Sequence, residues 1–156
     1  MGTAPCIMQD ETFANFIFSK GKQYRPASLP EGVFRMKLHH CFDNCASVAI
    51  DGKYRYVEGL VRDPRSRDRW VLHAWLTDGE HAFDPTWGMI TPAGWTPILT
   101  EYIGFEMPFD RVARFMHRTQ YAGIFANAWR DPSLARECLA DLPVEKISSE
   151  FFIELV

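Results

Sequence analysis

The sequence predicts a single α+β domain in which a cysteine-bearing helix packs on a small antiparallel sheet, with further helices on the C-terminal side. Three observations lead there. The chain has 156 residues, the length of one ordinary domain whose core folds without disulfide staples. Helical, then strand-like, then helical patterns follow one another, as in an α+β fold. An Asp78-Gly79 pair stands between two apolar segments, the signal of a tight antiparallel hairpin. The expected domain covers 1–156, with its core at about 35–120 and a C-terminal helical segment at about 109–156.

Phe13, Phe16, Ile17 and Phe18 stand near helical spacing and predict a short packed helix within 1–20. Gly21, Pro26, Pro30 and Gly32 make 21–35 an irregular arm. Residues 41–51, CFDNCASVAID, read as a helix with Phe42, Ala46, Ala49 and Ile50 on one face, ending at Asp51-Gly52. Lys53–Arg62 is rich in Tyr and Val and reads as a strand. Trp70–Leu76 is apolar on both faces, as a central strand is. His81–Asp84 returns antiparallel, and Pro85 ends it. Gly88, Pro92, Gly94 and Pro97 mark a long loop before a strand at Glu101–Met107. Helices are expected at 109–120, 124–129 and 132–142, and the tail ISSEFFIELV is either strand or helix.

Composition excludes several classes. With 47% hydrophobic and 24% charged residues the chain is not of the disordered type. A formal net charge of -3 argues against a nucleic-acid binder with a dominant basic surface. No charged-then-apolar leader pattern and no apolar run of the ~20 residues needed for a membrane span is visible, so the expected location is the cytoplasm. The four cysteines, Cys6, Cys41, Cys45 and Cys138, are too few for a disulfide scaffold.

The hairpin carries a register. With Asp78 and Gly79 as a two-residue loop, Leu76 faces His81 and His73 faces Asp84. Directly opposed residues share a face of the sheet. The carboxylate then accepts a hydrogen bond from the imidazole and orients it, as the third member of a catalytic triad does. A slip of one residue would turn Asp84 to the other face. Cys41 opens the predicted helix, and a helix N-terminus favours a thiolate. A thiol at a helix start, a histidine on a strand and an acid beyond it compose a thiol triad: Cys41 as nucleophile, His73 as acid–base, Asp84 as orienter.

Cys41-Phe42 at the helix start, His73-Ala74-Trp75 on a strand and Asp84-Pro85-Thr86-Trp87 after it resemble, in that order, the transglutaminase-like branch of the papain-like cysteine enzymes. The resemblance covers residues 41–87; Tyr102-Ile103-Gly104-Phe105 extends it weakly, and the two ends lie outside it. It implies a papain/transglutaminase-like core and thioester chemistry on an amide, peptide or ester bond of a peptide, protein or small molecule, with no cofactor. Trp75 and Trp87 are the candidate substrate-binding residues. No calcium loop of the EF-hand type is present. The oxyanion-donating glutamine of many papain-like enzymes has no evident counterpart; Arg35 precedes Cys41 by six residues. The Cys41 N–H, with His39, His40 or Gln23, is a candidate replacement.

Other readings stand beside this one. If Asp43 caps the helix, Cys45 rather than Cys41 lies in its first turn; otherwise Cys45 is a packing residue one turn on. His39, His40, Cys41 and Cys45 suggest zinc, but they do not form a standard ligand set, and no metal is expected. The arginines at 62, 65, 67 and 69 read as a solvated turn, and Glu58 as a polar contact near the site or an exposed group. Cys6 and Cys138 read as structural. A non-catalytic protein-binding module is the alternative to an enzyme, because function belongs to the site and not to the fold.

Overall fold

The computed structural model describes residues 11–140 and 142, apart from 64, 67, 92, 93 and 98, with backbone alone at 11, 12, 89–91 and 94–97. Cys6, Arg67 and the tail ISSEFFIELV, three of the sequence expectations, lie outside the described residues.

Helix α1 (Glu11–Lys20) buries Phe13 and Ile17, and Gly21 closes it by donating its N–H to Ile17 O at 2.7 Å. Strand β1 (Lys22–Ala27) follows directly. Helix α2 (Cys41–Ala49) begins at the cysteine, with buried Cys45, Ala46 and Ala49 on its packed face. It gives way to a turn at Gly52, where φ is +76°. Strands β2 (Arg55–Arg62), β3 (Trp70–Thr77) and β4 (His81–Phe83) come next. The expected long loop contains a small separate hairpin, β5 (Gly88–Thr91) and β6 (Gly94–Pro97). After β7 (Tyr102–Met107) the chain is helical: α3 (Phe109–Thr119), the single turn α4 (Ile124–Asn127) with a 3-10 turn at Ala128–Arg130, and α5 (Pro132–Leu139). Pro132 in the first turn and Asp131 as N-cap, accepting from Leu134 N at 3.0 Å, open α5.

The expected papain/transglutaminase-like core, a helix on a small antiparallel sheet, is not what forms. Five strands close into a barrel in the order β1-β4-β3-β2-β7. The cause is β1, the segment whose Gly21 and Pro26 pointed to an irregular arm. Its first half pairs antiparallel with β7 (Lys22↔Gly104 to Tyr24↔Tyr102). Its second half pairs parallel with β4 (Arg25↔His81 to Ala27↔Phe83). Pro26 falls in the half that has left β7, so its missing N–H breaks no rung of that ladder. The one parallel pairing closes a sheet that otherwise runs antiparallel.

Alternation along the strands divides the core. Tyr24, Val57, Val61, Trp75, Ala82 and Tyr102 form one cluster, the filling of the barrel. Trp75 is its centre, edge-on to Tyr24 at 5.7 Å and to Tyr102 at 5.1 Å. Gly59 and Gly104 face each other across β2 and β7 and leave the room it needs. A Cβ at Gly104 would stand 2.8 Å from the Trp75 ring and 2.4 Å from Glu58 O. The larger cluster lies on the other side, where Leu60, Leu72, Ala74 and Leu76 share one core with buried residues of α1, α2, α3 and α5. Among the described residues no helix is long and apolar enough to cross a membrane.

Candidate active site

The site begins with the β3–β4 turn, which is not the two-residue loop expected. Asp78 Oδ1 accepts from the N–H groups of both Glu80 and His81 at 2.9 Å, and Thr77 Oγ1 accepts from Gly79 N at 2.9 Å. These side-chain bonds widen the turn, so that Leu76 pairs with Phe83 and not with His81. His73 and Asp84 are therefore not directly opposed. A shift of two residues keeps side-chain parity, however, and Asp84 stays on the His73 side of the sheet. His73 Nε2 and Asp84 Oδ2 are 2.8 Å apart, with both side chains buried.

Asp84 is fully engaged. Oδ1 accepts from Thr86 N and Trp87 N, each at 2.9 Å, and Oδ2 accepts from His73 and from the Tyr102 hydroxyl at 2.9 Å. The turn is tied to the cysteine helix by Asn44, whose Nδ2 donates to Thr86 Oγ1 at 2.8 Å and to Lys37 O at 2.7 Å. Met36 N donates to Pro85 O at 2.8 Å and brings in the segment before the helix.

Cys41 is the first residue of α2 and is half-buried; no side chain caps this helix N-terminus. Burial alone would pull the His73 imidazole down. The charges of Asp84 and then Cys41, with the hydrogen bond to Asp84, outweigh it and push His73 up to about 10. Cys45 is fully buried, and burial, followed by the charges of Asp84, Cys41 and Glu58, pushes its thiol well up. It is the packing cysteine. Phe42 lies against Gly123, where φ is +92° and a Cβ would stand 2.8 Å from the ring.

Of the two candidate substrate-binding tryptophans, Trp75 is 0% exposed and belongs to the barrel core. Trp87 is half-buried, with its ring 4.9 Å from that of His73. Gln23 is exposed on β1, and strand alternation points it away from the barrel interior that Tyr24 enters. His39 is exposed with φ +64°, and His40 turns to Asp43 at 3.6 Å. The cysteine itself lies among the free amides of the first turn of α2. Among the described residues no group of three or more His, Cys, Asp or Glu side chains is arranged to hold a metal ion.

Glu58, expected near the site or exposed, is completely buried. It accepts from Tyr56 Oη at 2.8 Å, Ile124 N at 2.6 Å and Phe125 N at 2.9 Å, and so holds the start of α4. The arginine turn is not simply solvated. Asp63, itself buried, accepts from Arg65 N at 2.9 Å and Arg65 Nε at 3.1 Å, and Arg62 pairs with Glu101 at 2.7 Å. Cys138 is buried and donates to Arg111 O at 3.6 Å. Compared with protein-family models, curated proteins and solved structures, the chain has no match in any of the three.

Tyr102 and Asn44 are the site residues that sequence reasoning missed. Asn44 lay in plain view, one turn inside the helix that Cys41 opens, as a polar residue on an otherwise apolar face. Tyr102 stands in the segment that extends the resemblance weakly, but nothing local ties it to Asp84, 18 residues away and on another strand.

Proposed function

We propose that the protein is a cysteine-dependent hydrolase or acyltransferase acting on an amide, peptide or ester bond. The observation that carries the reading is the buried His73–Asp84 pair, set against a cysteine that opens an uncapped helix and acts on the same imidazole. The motif-level resemblance to transglutaminase-like enzymes supports the chemistry; the closed barrel lends no support to that family's architecture.

In this reading Cys41 Sγ attacks the carbonyl carbon, and the carbonyl oxygen turns toward the first-turn amides of α2. The C–N or C–O bond then breaks, and His73 delivers its proton to the departing amine or alcohol. Water or an amine attacks the resulting thioester, returns a proton to His73 and releases the thiolate. Because His73 is pushed up to about 10, it carries this proton at neutral pH. Asp84 holds the ring and balances its charge. Trp87, beside the imidazole, would flank the acyl group.

Iodoacetamide labelling followed by peptide mass spectrometry is the direct test. Cys41 is expected to alkylate at pH 7 at least tenfold faster than Cys45 or Cys138, and to slow severalfold in His73→Ala. A Cys41 that reacts no faster than a free thiol in a peptide, with His73→Ala unchanged, would overturn the enzyme in favour of a protein-binding module.

A further inference from the structure

We propose that Tyr102 is a positioning residue of this site, its hydroxyl fixing the Asp84 carboxylate in the orientation that His73 requires. The inference rests on the reading of His73 and Asp84 as part of a reacting site. Asp84 Oδ1 is held by the two backbone N–H groups just beyond it, an interaction any aspartate at this turn would make. The reactive end is Oδ2, on which two donors converge: His73 Nε2 at 2.8 Å and Tyr102 Oη at 2.9 Å. A carboxylate oxygen offers two lone-pair sites, so these two donors fill it.

The two donors come from different strands, β3 and β7, while Asp84 follows β4. The bond to Tyr102 therefore ties the acid to the barrel wall that carries neither His73 nor Cys41. The tyrosine ring is itself fixed, buried and edge-on to Trp75 at 5.1 Å. Burial, then the charge of Asp84, pushes its hydroxyl well above the usual tyrosine range, so it stays a donor. The titratable groups around Asp84 are His73 on β3, Tyr102 on β7 and Cys45 on α2, with Cys41 acting on His73 and Glu58 acting on Cys45. None but Tyr102 and His73 donates a hydrogen bond to Asp84 from a described side chain.

A buried tyrosine needs some acceptor, and the experiment separates that need from positioning. Tyr102→Phe removes the hydroxyl and keeps the ring. Tyr24→Phe, which removes the hydroxyl of another tyrosine whose ring lies beside Trp75, is the control. Carbon-13 NMR of the Asp84 carboxyl and nitrogen-15 NMR of the His73 ring at pH 7 are the readout. Losing one of the two donors on Oδ2 is expected to shift both resonances in Tyr102→Phe and neither in Tyr24→Phe. The rate of Cys41 alkylation at pH 5, relative to pH 7, is expected to fall severalfold in Tyr102→Phe alone. Asp84 and His73 resonances unmoved in Tyr102→Phe overturn the proposal, whatever happens to stability. Moved resonances in a protein whose Cys41 reacts as an ordinary thiol support the positioning role and overturn the cysteine chemistry instead. Should the variant fail to fold, the wild type still decides. A Tyr102 hydroxyl proton protected from exchange supports the bond; an unprotected one overturns it.

Discussion

Asp84 shows how a charge is kept inside a small protein. It is 1% exposed, and an isolated carboxylate in such a place would be driven to its neutral form. Four donors hold it, one of them an imidazole that can itself be charged. The same pairing makes His73 a reporter. Its value lies near 6.5 in the unfolded chain and about 10 in the folded one. A raised folded value means that the pair stabilises the protein fully below about 6.5, and that this stabilisation disappears as pH climbs toward 10. The melting temperature of the wild type is therefore expected to fall more steeply between pH 7 and 10 than that of His73→Gln, as followed by circular dichroism. Parallel curves would remove the charged pair. At this scale the sequence offers candidates, and the structure joins two of them, His73 and Asp84. Cys41, His73 and Asp84 carry signals in their own neighbourhoods: a helix start, an apolar strand, an acid before Pro85. Trp75 was misplaced because its strand is apolar on both faces, and alternation then cannot say which side is open.

At the scale of elements, turns and caps decide what pairing patterns leave open. The β3–β4 connection holds an Asp-Gly pair, and the expected tight turn followed from it. Asp78 instead spends its carboxylate on the N–H groups of Glu80 and His81, and the ladder shifts by two. Face survived this error because the shift was even. Glu58 plays the comparable part for α4, a single turn of helix too short to persist alone. Its two oxygens take the N–H groups of Ile124 and Phe125, and one of them also takes the Tyr56 hydroxyl. Glu58→Gln keeps the shape but turns an amide donor toward those N–H groups. It is expected to cost about 2–3 kcal/mol in urea denaturation and to raise amide exchange first at Ile124 and Phe125. Retained stability with unchanged exchange would mean that α4 is held by packing alone. Nothing local marks Glu58 as buried, since its partners lie 66 and 67 residues away.

The whole molecule depends on barrel closure. β1 joins β4 to β7, and its Tyr24 enters the space filled by Trp75 and Tyr102. Tyr24→Ala removes a wall of that filling and is expected to cost about 3–5 kcal/mol, seen as an earlier, still single, urea transition. A variant as stable as the wild type would show that the barrel interior does not carry the fold. The local grammar of the chain determined most helices, the strands that pair antiparallel with near neighbours, and the three residues offered as a triad. Each depends on spacing, capping or alternation within a few residues. Only the tertiary structure decided that the sheet closes, that Tyr102 shares Asp84 with His73, and that Glu58 lies buried. Each of these joins segments far apart in sequence. Closure in particular needs a parallel pairing between β1 and β4, and no neighbouring residue encodes that contact. It forms because the barrel interior must be filled and the free edges of β4 and β7 must find a partner.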